Sequence, residues 1–570
     1  MGIRARTALA LLLVFSSAVQ SDDDAGRQVI VNGLIYSMDN VATRHTAMVI
    51  EGNRIVYLGD DSGAMAWARD QSDVLSLDGK AVFPGFIDTH IHIMDTLPLM
   101  DGAMLSPSQS ADEVLASLKQ HVLNNPDQNP VLGAGFLARA FGINGPTAAQ
   151  LDEIVSDKPA LIIDEGGHTA WVNSKALAMA GISQSTPDPV PGAHFFQRDE
   201  EGVPTGWLVE GAAIDPVATA LNLVSKEVLQ TKAPDFFEKM SAVGLTAAFD
   251  AGMIDTEEVG REVALALAQE QRLPVRVVAS LYVNRPSDLI DSVENLRELN
   301  KRYDHPFFEV NTLKLSLDGT VEAKTAVTLE PYSIPEGHRA TPLLPPSEMT
   351  GTVIEAAGRN IDLHLHAIGD GAVRAALDAI EAARTTHPDT LSRFTICHIE
   401  VVDSQDIPRF AGLNVVGQTT PTWFEYDYLA LEYLGRARFQ QLYPIASIKR
   451  QGAKITLGSD YPVTWIGEDA LNPMFNIEMA VTRQQAGNRD YPIQAKISER
   501  LSVDQAIRAH TIDAAWQLGL EDDIGSLELN KLADFVILDE DPYAVPIYDL
   551  HRIQVNRTYS DGRLVYERRP

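Results

Sequence analysis

AVFPGFIDTHIHIMD, residues 81–95, is the stretch whose reading decides the fold. An apolar run turns through Pro84-Gly85, resumes, and ends in His90 and His92, two positions apart. Side chains two apart on a β-strand share one face, so the two imidazoles stand side by side. At the C-terminal end of a barrel strand, where ligands and chemistry gather, such a pair suits a first-row metal. Taken alone, H-x-H reads equally well as a strand end that carries two polar residues, and its context has to decide.

Seven further strand-like runs follow: LTAAFDAG (245–252), VRVVASLYV (275–283), VNTLKLSLDG (310–319), IDLHLHAIGD (361–370), FTICHIEVV (394–402), LNVVGQTT (413–420) and AKITLGSD (453–460). Segments with apolar residues at three- and four-residue intervals lie between them, such as AVRAALDAIEAARTT. Strands alternating with helices imply a parallel sheet, most simply closed into a (β/α)8 TIM barrel over residues 81–520. An open doubly wound sheet is the alternative, disfavoured because residues of metal-ligand type lie in or end at least five strands. About 150 residues separate the first run from the second, far more than an ordinary connection, so a folded insertion over the barrel mouth is expected at about 97–240. Short β-rich runs at 22–80 are too few to close a core alone. Runs of the same texture at 521–570 offer the partner, and the two ends are expected to form one composite β-sandwich.

The polar strand ends carry the chemical expectation. His90 and His92 end the first strand, Lys314 lies in the fourth, His366 ends the fifth, His398 lies in the sixth and Asp460 ends the eighth. A lone buried histidine bonded to a carbonyl, or an aspartate capping a helix, explains most single cases. Six such residues at barrel spacing point instead to one shared centre. Lys314 would be costly as a buried ammonium ion, and burial favours its neutral amine. That amine either pairs with Asp318 or takes up carbon dioxide to become a carbamate. Cys397 is the only cysteine, so no disulfide forms within the chain, and alternation with His398 places its thiol on the outer face of the strand.

Composition narrows the partners. The 570-residue chain has the apolar and charged fractions of an ordinary globular protein and is too long for one core. Its formal charge of −32 disfavours nucleic-acid and anionic-membrane binding. Arg4 and Arg6 before an apolar run, then Ser16, Ser17 and Ala18, read as a signal peptide over residues 1–21. The expected location is therefore periplasmic or secreted, with no membrane span once the leader is removed. A small-molecule substrate is expected, and a homodimer stays open.

FPGFIDTHIH, GHTAWVNSKAL, GVPTGWLVEGA, KLSLDGT, HAIGDGA, GSDYPV and DIGSLELNKLADFVILDEDP, in this order, resemble the amidohydrolase superfamily. Within it they are similar to the YtcJ-like group related to N-substituted formamide deformylase. The resemblance implies a barrel with a composite sandwich and a divalent metal held by His90, His92, His366, His398 and Asp460. Lys314 matches a lysine that is carboxylated in two-metal members. Zinc is the expected metal, as one or two ions, with manganese or iron fitting a carboxylate-bridged pair. A bound cation lowers the pKa of its water to about 7 and so supplies hydroxide at neutral pH. Asp460 would move the proton, His398 or His168 would stabilise the oxyanion, and His168, Trp171 and Asp318 are the candidates for substrate contact. The expected reaction is hydrolysis of a non-peptide carbon–nitrogen bond of amide or N-acyl type. An ester, lactone or dipeptide hydrolase, a lyase or isomerase on the same metal site, or a silent small-ligand-binding barrel are the alternatives. Two departures from the pattern stand out: Asn530 where glycine is usual, expected to tolerate positive φ, and Phe136 where tryptophan is common.

Overall fold

The computed structural model describes residues 26–569, apart from 40, 71, 72, 224, 254, 255, 464–466 and 495. The expected leader lies outside the described residues. Eight parallel strands form the barrel: β1 (Phe86–Ile91), β2 (Leu245–Asp250), β3 (Arg276–Val283), β4 (Phe308–Ser316), β5 (Asp362–Ala367), β6 (Phe394–His398), β7 (Val415–Thr419) and β8 (Ile455–Leu457). They pair in chain order from β1 to β8. Helices pack outside through apolar stripes; Asp370–Thr386 buries Val373, Ala376, Leu377, Ile380 and Ala383 at helical spacing.

No ladder joins β1 to β8; the barrel closes there through individual bonds. Asp460 N–H donates to the His90 carbonyl at 2.7 Å, and His92 N–H to the Tyr461 carbonyl at 3.0 Å. Buried Asp88 accepts from the backbone N–H of His90 at 3.1 Å and of Ser459 at 3.0 Å.

The opening run is two strands rather than one. Ala81–Pro84 pairs with Leu34–Tyr36 and Phe535–Leu538 in the sandwich, and only Phe86–Ile91 enters the barrel. Gly85 marks the break, because a Cβ there would lie 2.1 Å from Thr246 Oγ1, and its N–H is held by the Asp534 carbonyl at 2.9 Å. The sandwich joins both ends of the chain: one four-stranded sheet from residues 27–76, and a six-stranded sheet that places Phe535–Leu538 beside Ala81–Pro84. Asn530 adopts φ 71°, the positive φ that asparagine was expected to tolerate where glycine is usual.

The insertion has a six-stranded sheet of its own between residues 103 and 209, with two apolar clusters of its own. Its turn at Gly166-Gly167 reaches over the barrel mouth, with the Gly167 Cβ position 3.0 Å from Val463. The helix Lys226–Ala242, at the expected end of the insertion, belongs to the barrel layer and buries Phe236 and Phe237 in its core.

Arg276, at the start of β3, ties barrel to sandwich. Its buried guanidinium meets Asp534 at 3.3 Å and Asp561 at 3.2 Å. Removing one member of a buried pair strands the other charge, at a cost of about 3–5 kcal/mol. Arg276→Ala is therefore expected to lower stability by about 3 kcal/mol in urea unfolding, and Arg276→Met with Asp534→Asn to recover most of that loss.

Candidate active site

The barrel strands deliver their histidines to one layer. His90 sits at the centre, with Nε2 3.0 Å from Lys314 Nζ and Nδ1 3.0 Å from Nε2 of His364. His92 Nδ1 lies 2.9 Å from the Gly252 carbonyl, which fixes the proton on Nδ1 and leaves Nε2 as a lone-pair donor. That Nε2 lies 3.5 Å from Asp460 Oδ1, and His90 Nε2 lies 3.4 Å from the same oxygen. His398 Nδ1 approaches Asp460 Oδ2 at 3.4 Å, and its ring packs on His366 at 4.4 Å between centroids. Trp423 stacks on the other side of His398, 5.1 Å away and 9° from parallel.

Burial sets the protonation. It holds His90, His364, His366 and His398 well below the ordinary imidazole value, helped by neighbouring cationic groups. Those rings are neutral at pH 7, so the contacts of His90 and His398 with Asp460 are not ion pairs. Burial also pulls on His92, but the adjoining Asp460 carboxylate outweighs it and raises the value. Burial lowers the Lys314 amine.

The donor set fits a metal. His90, His92 and Asp460 each offer an atom within 4.8 Å of the others. His366 Nε2 and both ring nitrogens of His398 are buried and have no hydrogen-bond partner. A buried polar atom left unsatisfied costs about 1–3 kcal/mol, and a cation held by His366 Nε2 and one nitrogen of His398 would satisfy two of the three.

Above this floor lies a cavity of about 140 Å³, lined among others by His92, His168, Tyr282, Lys314, Trp423 and Asp460. His168 comes from the insertion. Its Nδ1 is 2.6 Å from Glu210 Oε2, and Glu210 also accepts from Thr325 Oγ1 at 2.7 Å. Burial opposes its charge, but the Glu210 carboxylate prevails and lifts His168 to about 9, while Glu210 is itself held low.

Three expectations are corrected. Trp171 does not reach the cavity: it packs in the insertion against Phe136 and Phe141, with Nε1–H donating to the Thr147 carbonyl at 2.8 Å. Asp318 pairs with neither Lys314 nor the cavity, because its two oxygens accept the backbone N–H groups of Val327, Ile368 and Gly369. It lies 3.7 Å from His366 Nε2 and braces the end of β5. Cys397 faces inward, with Sγ within 4.8 Å of ring nitrogens of His90 and His364. Strand alternation fails there because His398 and Ile399 adopt φ 70° and 45°, which turns His398 back toward the axis. Burial pushes the thiol up to about 12, so it stays protonated.

His364 and Glu210 were missed from the sequence. The His364-x-His366 spacing repeats the His90-x-His92 signal one layer apart, and could have found the first. Glu210 lies in GVPTGWLVEGA, one of the strings that carry the family resemblance, but its partner lies 42 positions away, so the string alone does not give its role.

The family described as "Amidohydrolase family" matches residues 73–566. The exoenzymes regulatory protein AepA of Pectobacterium carotovorum subsp. carotovorum is 29% identical over 75% of this chain and 92% of its own. N-substituted formamide deformylase of Arthrobacter pascens is 28% identical over 95% of this chain and 98% of its own. The crystal structure of an uncharacterized metal-dependent hydrolase from Pyrococcus horikoshii ot3 superposes with a TM-score of 0.71 at 23% identity, covering 91% of this chain and 99% of that one.

Gly458 sits at the seam that sets this geometry; a Cβ there would lie 2.5 Å from His90 N and 2.9 Å from Asp88 Oδ1. Gly458→Ala is expected to cost about 2 kcal/mol in urea unfolding and to lower the metal content of the purified protein measured by mass spectrometry.

Proposed function

The chain belongs to the amidohydrolase family, and from that premise we propose an exported, metal-dependent hydrolase of a non-peptide carbon–nitrogen bond, amide or N-acyl in type. The observation that carries the reading is the convergence of His90, His92 and Asp460 with the unsatisfied nitrogens of His366 and His398, under a cavity into which charged His168 projects. The likeness to a deformylase along nearly the whole chain supports the bond type. The basic, then apolar, then small residues at 4–18 support export, and no described helix is long and apolar enough to cross a membrane.

A divalent cation, for which zinc is the choice of an imidazole-rich set, supplies Lewis acidity and a water acidic enough to attack at neutral pH. The chain's own groups do the rest. Asp460, reached by His90, His92 and His398, takes the proton of the attacking water and returns it to the departing nitrogen, because an amine leaves poorly unless protonated. His168 has Nδ1 engaged by Glu210, so its Nε2–H is the group left to donate to the oxygen that gains charge. Trp423 holds the plane of His398. Burial lowers the Lys314 amine, which favours its neutral form; that form would add to carbon dioxide and lose a proton to give a carbamate, whose oxygens would serve as metal ligands beside His90.

Asp460→Asn is expected to keep its metal by mass spectrometry while kcat on a panel of N-acyl amines, esters and lactones falls about 100-fold or more. Near-normal turnover would remove Asp460 from proton transfer. Protein equilibrated with carbon-13 bicarbonate is expected to show one carbamate resonance that Lys314→Ala lacks.

A further inference from the structure

A second chamber, of about 540 Å³, adjoins the cavity over the metal-ligand set and shares Gly166 and Trp423 with it as lining. Trp423 is thus a wall common to both, with His398 stacked on it. The second chamber is walled by the aromatic residues Trp423, Tyr426, Tyr443 and Tyr491, and into it come the carboxyl groups of Glu165, Glu322 and Asp427.

Behind them lies Glu400, and Glu322, Glu400 and Asp427 each place an oxygen within 4.8 Å of the others. Among the described residues, no lysine, arginine or histidine forms an ion pair with these four acids. Asp427 Oδ1 accepts the Ala430 N–H at 2.7 Å as the cap of helix Tyr428–Leu434, so the unpaired oxygens are those of the glutamates. Independently of the cluster, Oε2 of Glu165, a residue only 6% exposed, has no hydrogen-bond partner, and neither has Oε1 of Glu400. Without a cation, burial and then the Asp427 charge push Glu322 up to about 8. Buried carboxylates are kept only where something pairs with them.

A cation is the missing partner, and the walls indicate which kind. Aromatic faces beside carboxylates attract an organic ammonium group through cation–π and ion-pair contacts together. The three converging carboxylates could hold a metal ion, but a metal would leave the aromatic room unused, whereas an organic ammonium group uses both. The overall charge of −32 would also concentrate a cationic compound near the protein.

We propose that this chamber seats a primary ammonium group of the substrate, so that the compounds cleaved over the metal-ligand set are N-acyl amines carrying a second, positively charged amine. The proposal rests on the hydrolase reading given above. In the metal-loaded protein, cadaverine is expected to bind in calorimetric titration and pentanediol, its neutral counterpart, not to. N-acetylcadaverine is expected to be cleaved with a kcat/KM about tenfold or more above that of N-acetylpentylamine. In Glu165→Gln, Glu322→Gln and Asp427→Asn that ratio is expected to fall toward about one. Because it is read within one variant, a change in the folded fraction cancels. Equal cleavage of both compounds by the unaltered protein would overturn the ammonium seat and leave the hydrolase standing. Tight stoichiometric binding of calcium that excludes cadaverine would overturn it in favour of a metal site. Cadaverine binding that depends on these acids, in a protein inert to every N-acyl compound, would support the seat while removing the hydrolase reading.

Discussion

The seam between β1 and β8 is the constraint on which the rest depends. The two strands share no ladder, so the barrel closes on a few bonds: Asp460 N–H to the His90 carbonyl, His92 N–H to the Tyr461 carbonyl, and Asp88 receiving two backbone N–H groups. These bonds set the position of the Asp460 carboxylate against the two histidines. Burial raises Asp88 to about 7, yet its oxygen serves as an acceptor on both strands. Closure and the geometry of the candidate site are therefore one feature. Asp460 at φ 52° and His398 at φ 70° hold conformations that cost a non-glycine residue energy, and such strain persists only where the surroundings impose it.

Burial then divides the imidazoles by role. Four rings deep in the barrel are neutral; His90, His366 and His398 offer lone pairs, as metal ligands must, and His364 backs His90. His168, a ring-contact distance of 5.4 Å from His366, is held charged by Glu210. One carboxylate placed behind one ring separates a donor to developing negative charge from donors of lone pairs to a cation. Removing Glu210 would merge the two classes.

Much of this was legible in the sequence, for reasons that can be named. Within a regular strand the two-residue period survives, and His90 and His92, Lys314 and His366 all line the cavity at the barrel mouth, the face that period gives them. The period fails where the chain leaves the strand. Cys397 was assigned to the outside because alternation was carried one residue too far, into the left-handed turn at His398. Trp171 and Asp318 were misplaced for another reason: each lies in a motif shared with the site but spends its polar atoms on local backbone, a role that no local pattern distinguishes from ligand contact. The break at Gly85 was readable as a turn, but its meaning, a crossing from sandwich to barrel, depends on Thr246 and Asp534, both remote in the chain.

Chemistry and selectivity are carried by different parts of the molecule. The floor comes from strand ends, whose positions are fixed by a closed sheet and leave little freedom. The roof comes from the insertion and the loops after β4 and β7, which contribute Gly166, His168, Glu322 and Trp423. A loop wall can be rebuilt without disturbing the seam, whereas a change at the seam reaches every residue of the floor. The strand ends therefore hold the metal-ligand set, while the walls that would meet the rest of a bound compound are built by the loops. That division separates what family membership carries, a metal-dependent hydrolase, from the choice of compound, which turns on loop-built surfaces such as the acidic, aromatic chamber behind Trp423.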